Sequence, residues 1–178
     1  MQEQVLKFWF SELESKDWFV VSADVDARIK SQFGQLLQQA AHAELFTWRD
    51  SPQGRLAEII VLDQFSRNIY RNTPQAFSQD PLALALAQEA VRLEADKQLT
   101  PQERSFLYMP YMHSESAFIH QQAAILFKQP GLENNYDFEL KHKTIIDRFG
   151  RYPHRNVILN RVSSTEEIEF LTQPGSSF

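Results

Sequence analysis

The chain of 178 residues contains no cysteine, which removes disulfides, thiolate metal sites and cysteine nucleophiles. Glycine is scarce, with five copies, and no Walker A, GxGxxG or GxSxG pattern occurs. Neither a glycine-rich nucleotide loop nor a strand–helix nucleophile elbow is therefore available. The zinc-binding HExxH pattern is missing too. The longest nearly apolar run, "PLALALAQEAV" from Pro81 to Val91, is about half of what a bilayer requires. The opening "MQEQVLKFWFSELESKDW" has no basic segment followed by an apolar one, unlike a secretory signal. These absences point to a cytoplasmic protein in a reducing compartment, without a membrane partner. No stretch alternates apolar and polar residues as a half-buried strand would.

What is present is helical periodicity in an ordinary globular composition, 43% apolar and 23% charged. Fourteen phenylalanines predict an aromatic core, and the length suits one domain over residues 1–178. An aromatic segment, "EQVLKFWFSEL", comes first. Val25, Ile29, Phe33, Leu36 and Leu37 form the apolar stripe of a helix over 24–45. Pro52 suits the first turn of another, over 52–69. Asp80 and Pro81 read as the cap and first residue of a helix so apolar all round that it should lie centrally. Thr100, Pro101 and Glu103 repeat the start signal as a capping box, and Pro110 should end or kink that helix. Further helices are predicted over 114–128 and 136–149, the latter stopped by Gly150. A last one is capped by Ser163 or Ser164 with Glu167. The expectation is an all-α fold of about eight helices in antiparallel pairs, with no β-sheet.

At an offset of 84 residues "VLDQFSRNIYRN" (61–72) lies over "IIDRFGRYPHRN" (145–156). Asp63 then matches Asp147, Arg67 matches Arg151, and Arg71 matches Arg155. The reading is a pseudo-repeat relating about 55–90 to about 139–174, as in an α-solenoid.

The net charge of −5 is unevenly spread. Residues 141–161 hold six Lys/Arg against Asp147 alone, which leaves +5 there and −10 on the remainder. A basic patch on an acidic chain suits a small anionic ligand or a peptide carboxylate better than nucleic acid. Arg67, Arg71, Arg151, Arg155, His154 and Asn156 are the candidate ligand-binding residues, because guanidinium forks match carboxylate and phosphate. Asp63 and Asp147 sit four residues before or after basic side chains and are read as members of a structural polar network. His113, Glu115, His142 and His154 are the candidates for acid–base chemistry. If they converge, two or three histidines with a carboxylate have the donor set for zinc or iron, although their spacing matches no metal motif. No cofactor is assigned. His42 and His120, in plain helical stretches, are assigned no role.

The stretches "FWF", "LDQFSRNIYRNTPQAFSQDPLAL", "FLYMPYMHSES" and "IDRFGRYPHRNVILNRVSSTEEIEFL" resemble the bacterial family known as domain of unknown function 924. The resemblance covers nearly the whole chain and implies an all-helical, tetratricopeptide-like superhelix, without implying an activity. Asn72 and Asn160 stand where that family commonly has glycine, and Ser66 where proline is frequent. Three functions are the resulting expectations: binding of a small anion or peptide carboxylate, a hydrolase- or lyase-type enzyme, or a tetratricopeptide-like interaction module.

Overall fold

In a computed structural model the described residues, 1–177, form helices and turns with no strand among them. Helix α1 (Gln2–Lys7) runs into a π turn over Phe8–Glu12, and α2 (Ala23–Ala41) is capped by Ser22. Helix α3 (Pro52–Ile60) passes through a second π turn, Val61–Phe65, into the short α4 (Ser66–Ile69). Then come α5 (Asp80–Arg92), α6 (Pro101–Met112), α7 (Ala117–Phe127), α8 (Glu133–Phe149) and α9 (Thr165–Leu171). Among the described residues no helix is long and apolar enough to cross a membrane.

The start and stop signals act as their chemistry dictates. Thr100 with Glu103, and Ser164 with Glu167, close reciprocal capping boxes, each satisfying two otherwise unpaired amides. Gly150 ends α8 in the left-handed conformation at φ 68°. Pro110, expected to end or kink its helix, does not end it. It lies inside α6, which continues to Met112 with the His113 amide bonded to the Met109 carbonyl.

The centre of the molecule also differs from expectation. Every residue from Leu56 to Ser66 is buried, so α3 and the π turn are the central rod, not α5. Leu82 and Leu84 of α5 stay half-exposed. Around the rod the early aromatics interlock: Phe8 on Phe33 (5.2 Å), Phe33 on Phe65 (5.0 Å), and Trp9 and Trp18 on Phe106 (5.5 and 5.0 Å). Edge-to-face and offset pairs of this kind are worth about 0.5–1.5 kcal/mol each beyond their area burial. Gly54 admits the 46–50 turn against α3, since a Cβ there would meet the Trp48 carbonyl oxygen at 2.0 Å. A second, smaller core of Ile145, Ile146, Tyr152, Phe149 and Phe170 seats α9 and the 150–156 segment against the end of α8.

The two stretches that align at an offset of 84 residues take different backbones. Residues 61–69 remain helical throughout, whereas 145–156 leave the helix at Gly150 and resume with a short 3-10 turn, Pro153–Arg155.

Candidate functional site

The π turn sets the site. Each of its hydrogen bonds spans one more residue than in an α-helix, and such an insertion re-aims the side chains beyond it. Here it delivers the Asp63 carboxylate into the interior with 1% of its surface exposed. Asp63 accepts from Gln64 Nε2 (2.6 Å), Arg67 Nη1 (3.2 Å) and His113 Nδ1 (2.8 Å). Arg67 turns the rest of its fork onto Asp80, with bonds of 2.9 and 3.0 Å. Asp80 therefore does not cap α5 through its side chain; the helix begins at Asp80 itself, and the carboxylate is spent on arginine. Arg155 Nη1 reaches the same carboxylate at 3.4 Å. Four separate segments are linked in this way, in the order His113, Asp63, Arg67, Asp80, Arg155.

Arg155 is the poorly matched member. Its side chain is 7% exposed, and the long contact to Asp80 is its one hydrogen bond among the described residues. Its buried Nε has no acceptor among the described residues. The guanidinium is held instead by ring faces, 4.6 Å from the Phe77 centroid and 4.6 Å from that of Tyr152. Burial, and then the neighbouring Arg67, lower its pKa from the usual arginine value. On the other side Glu115 is saturated: Arg161 donates to both its oxygens (2.6 and 2.9 Å), and the Tyr152 amide adds a bond of 2.7 Å. Burial would raise the Glu115 pKa, but those donors outweigh it and hold the group ionised. Asp80, His113, Glu115 and Arg155 border a cleft of about 370 Å³ whose walls include Phe77, Pro81, Leu84 and Pro110. The half-exposure of Leu84 reflects its place in that wall.

Two pKa shifts define the chemistry. Burial alone would raise Asp63, yet Arg67 and His113 hold its carboxyl well below the usual range. Burial, together with Arg67, lowers His113 against the opposing pull of Asp63, leaving the ring neutral near pH 7. An ionised Asp63 can only accept, so the neutral ring carries its proton on Nδ1. The lone pair is then on Nε2, which makes no hydrogen bond to a described residue.

Behind the cleft Tyr152 is fully buried, with the rings of His120, His142 and His154 at 6.2, 5.8 and 5.6 Å. Its hydroxyl donates to the Met112 carbonyl (2.5 Å), and His120 Nδ1 meets Glu139 at 2.7 Å. Burial raises the Glu139 pKa against the opposing pull of the His120 hydrogen bond. His142 bonds the Phe138 carbonyl through Nδ1 (2.7 Å), and burial pushes it down to about 3. Burial and Arg155 push His154 down to about 4. Among the described residues no three His, Asp or Glu side chains are grouped to hold a metal ion.

A model of the family described as "Bacterial protein of unknown function (DUF924)" matches residues 5–175. The chain belongs to this family. A solved structure, "Structure of Protein of Unknown Function ATU0120 from Agrobacterium tumefaciens", is similar to it at 33% identity and a TM-score of 0.88, over 96% of each chain. No curated protein matches it. In this DUF924 protein Asn72 and Asn160 both adopt positive φ, 62° and 53°. Asparagine tolerates that conformation better than other side-chain residues do, so both turns form without glycine.

The DUF924 fold gathers Arg155, His113 and Glu115 at one cleft, with Arg67 and Asp63 linked behind them, and sends the other candidates elsewhere. Arg71 forms a fork with Asp26 of α2 (2.7 and 2.8 Å), away from the cleft. Arg151 forms one with Glu167 (2.6 and 2.7 Å). That bond, with the Ser164 amide second, sets the Glu167 pKa at about 2 despite burial. Asn156 is buried between Ser163 and Arg161 as a turn-stabilising residue. Asp147 is exposed and pairs with Lys143, unlike the buried Asp63. The basic segment is thus largely neutralised, since Arg148 also pairs with Glu166 and Arg161 with Glu115. Asp80, Phe77, Tyr152, Arg161 and the His120–Glu139 pair belong to the site or its support but are not among the site candidates that the sequence offers. A capping signal masked Asp80, and nothing local distinguishes His120.

Proposed function

We propose that the protein binds a small molecule bearing a carboxylate or phosphate in the cleft at Arg155. The observation that carries the reading is the buried Arg155 guanidinium, clamped between Phe77 and Tyr152 with Nε unpartnered. A buried cation with spare donors costs free energy that a bound anion recovers. The other arginines of the segment are forked onto carboxylates and have little left to offer. A volume of about 370 Å³ suits a small molecule rather than a partner helix or an extended tail. Apolar walls beside one charged anchor are the usual make-up of such a site.

The test is thermal unfolding with phosphate, succinate or citrate at constant ionic strength. An anion at ten times its Kd stabilises by about 1.4 kcal/mol, a shift of a few degrees at this size. Arg155→Met removes the response, and Arg148→Met, at an exposed pair, keeps it. No anion-specific shift across the three, or a shift that persists in Arg155→Met, overturns the reading.

A further inference from the structure

The cleft holds a second group with unused capacity. The Asp80 oxygens are taken by Arg67 and Arg155, and both Glu115 oxygens by Arg161 and the Tyr152 amide. His113 differs, because its Nδ1 is bound to the buried Asp63 while Nε2 of the cleft-lining ring bonds no described residue. An imidazole oriented by a carboxylate through one nitrogen, with the other at a cavity, is the general-base half of a hydrolytic site.

We propose that His113 is a catalytic general base that activates water for hydrolysis of an ester whose acyl part carries the anionic group held by Arg155. The proposal rests on the anion-binding reading of the cleft. The His113 Nε2 lone pair takes a proton from water as the water oxygen adds to the ester carbonyl carbon. The tetrahedral intermediate then collapses, the bond from carbon to the alcohol oxygen breaks, and the proton on Nε2 passes to the departing oxygen. Water is consumed, and the products are one acid and one alcohol. Asp63 acts as a positioning residue, fixing the tautomer and balancing the transient imidazolium. Charges facing His113 come from Asp63 in the π turn, Arg67 on α4, Asp80 on α5, Glu115 after α6, and Arg155. The lowered pKa of the ring keeps Nε2 available near pH 7.

The full chain is assayed with p-nitrophenyl hydrogen succinate, which carries the second anionic group, and with neutral p-nitrophenyl acetate. Wild type is expected to hydrolyse the succinate ester with kcat/KM at least about tenfold above the acetate. His113→Asn keeps a donor for Asp63 but removes Nε2, and should lose on the order of 100-fold in kcat with KM little changed. Arg155→Met should raise KM for the succinate ester and erase the preference between the two. His42→Gln, at an exposed histidine, serves as the control and should match wild type. Unfolding curves for each variant establish that the protein is folded. Turnover by folded His113→Asn equal to wild type, or no turnover by either, overturns the hydrolytic role. Anion binding would still stand if the phosphate shift depends on Arg155. Turnover that needs His113 but shows no preference and no effect of Arg155→Met instead removes the anion anchor.

Discussion

Arg155→Met should make the protein more stable, contrary to the usual result of deleting a buried arginine. The substitution removes a guanidinium with a single 3.4 Å hydrogen bond, a separation at which little energy is gained. It also removes two ring-face contacts at 4.6 Å, worth about 0.5–2 kcal/mol each. Against these stands the desolvation of the cation, several kcal/mol even after relaxation. Methionine fills the space between Phe77 and Tyr152 with a polarizable chain that itself favours aromatic edges. Asp80 is not orphaned, because Arg67 keeps both its bonds to that carboxylate. Desolvation wins, and the expected gain is about 1–2 kcal/mol, or roughly 3–6 °C in Tm for a domain of this size. Urea unfolding followed by circular dichroism, with thermal scans in phosphate-free buffer, measures it. A loss of more than about 1 kcal/mol would show that Arg155 is a structural cross-link between the 153–155 turn and α5, with no charge held in reserve for a ligand.

Acid should unfold the wild type more steeply than Asp63→Asn. Unfolded Asp63 takes up its proton near pH 3.9, and the folded carboxyl does so at lower pH, so its contribution is complete above about pH 4 and fades as the pH falls further. Parallel urea midpoints for the two proteins from pH 5 to pH 2.5 would contradict this. Asn160→Gly, at φ 53°, should add about 0.5 kcal/mol by relieving the left-handed strain, read as a small rise in the urea midpoint at unchanged slope.

Legibility from sequence divides by distance along the chain. Helix starts depend on residues three apart, and both capping boxes and the Gly150 stop were readable from such neighbours. The pairings of the arginines were not readable. Arg71 finds Asp26 across 45 residues, Arg151 finds Glu167 across 16, and Arg161 finds Glu115 across 46. A run of basic residues with few acids nearby therefore looked like a binding patch, whereas most of its charge is met by carboxylates brought in by tertiary packing. Asp80 illustrates the converse. Its local sequence satisfies the rule for a cap, but the two bonds offered by Arg67 outcompete a single bond to its own helix amides. The convergence of His113, Glu115 and Arg155 was anticipated only as a possibility of their residue types. The clamp of Phe77 and Tyr152 on Arg155 has no local pattern at all.

The π turn at Val61–Phe65 has a consequence for how this chain tolerates change. Deleting one residue there would restore a continuous α-helix and rotate everything beyond it by about 100°, with a recoil of about 1.5 Å. Leu56, Ile59 and Ile60 would keep their seats, while Arg67 would swing away from Asp80 and Asp63 would lose its approach to His113. A single codon thus separates the scaffold from its polar wiring. A deletion at this point would leave a helical protein with its buried polar chain broken, and an insertion elsewhere in the rod would not restore it.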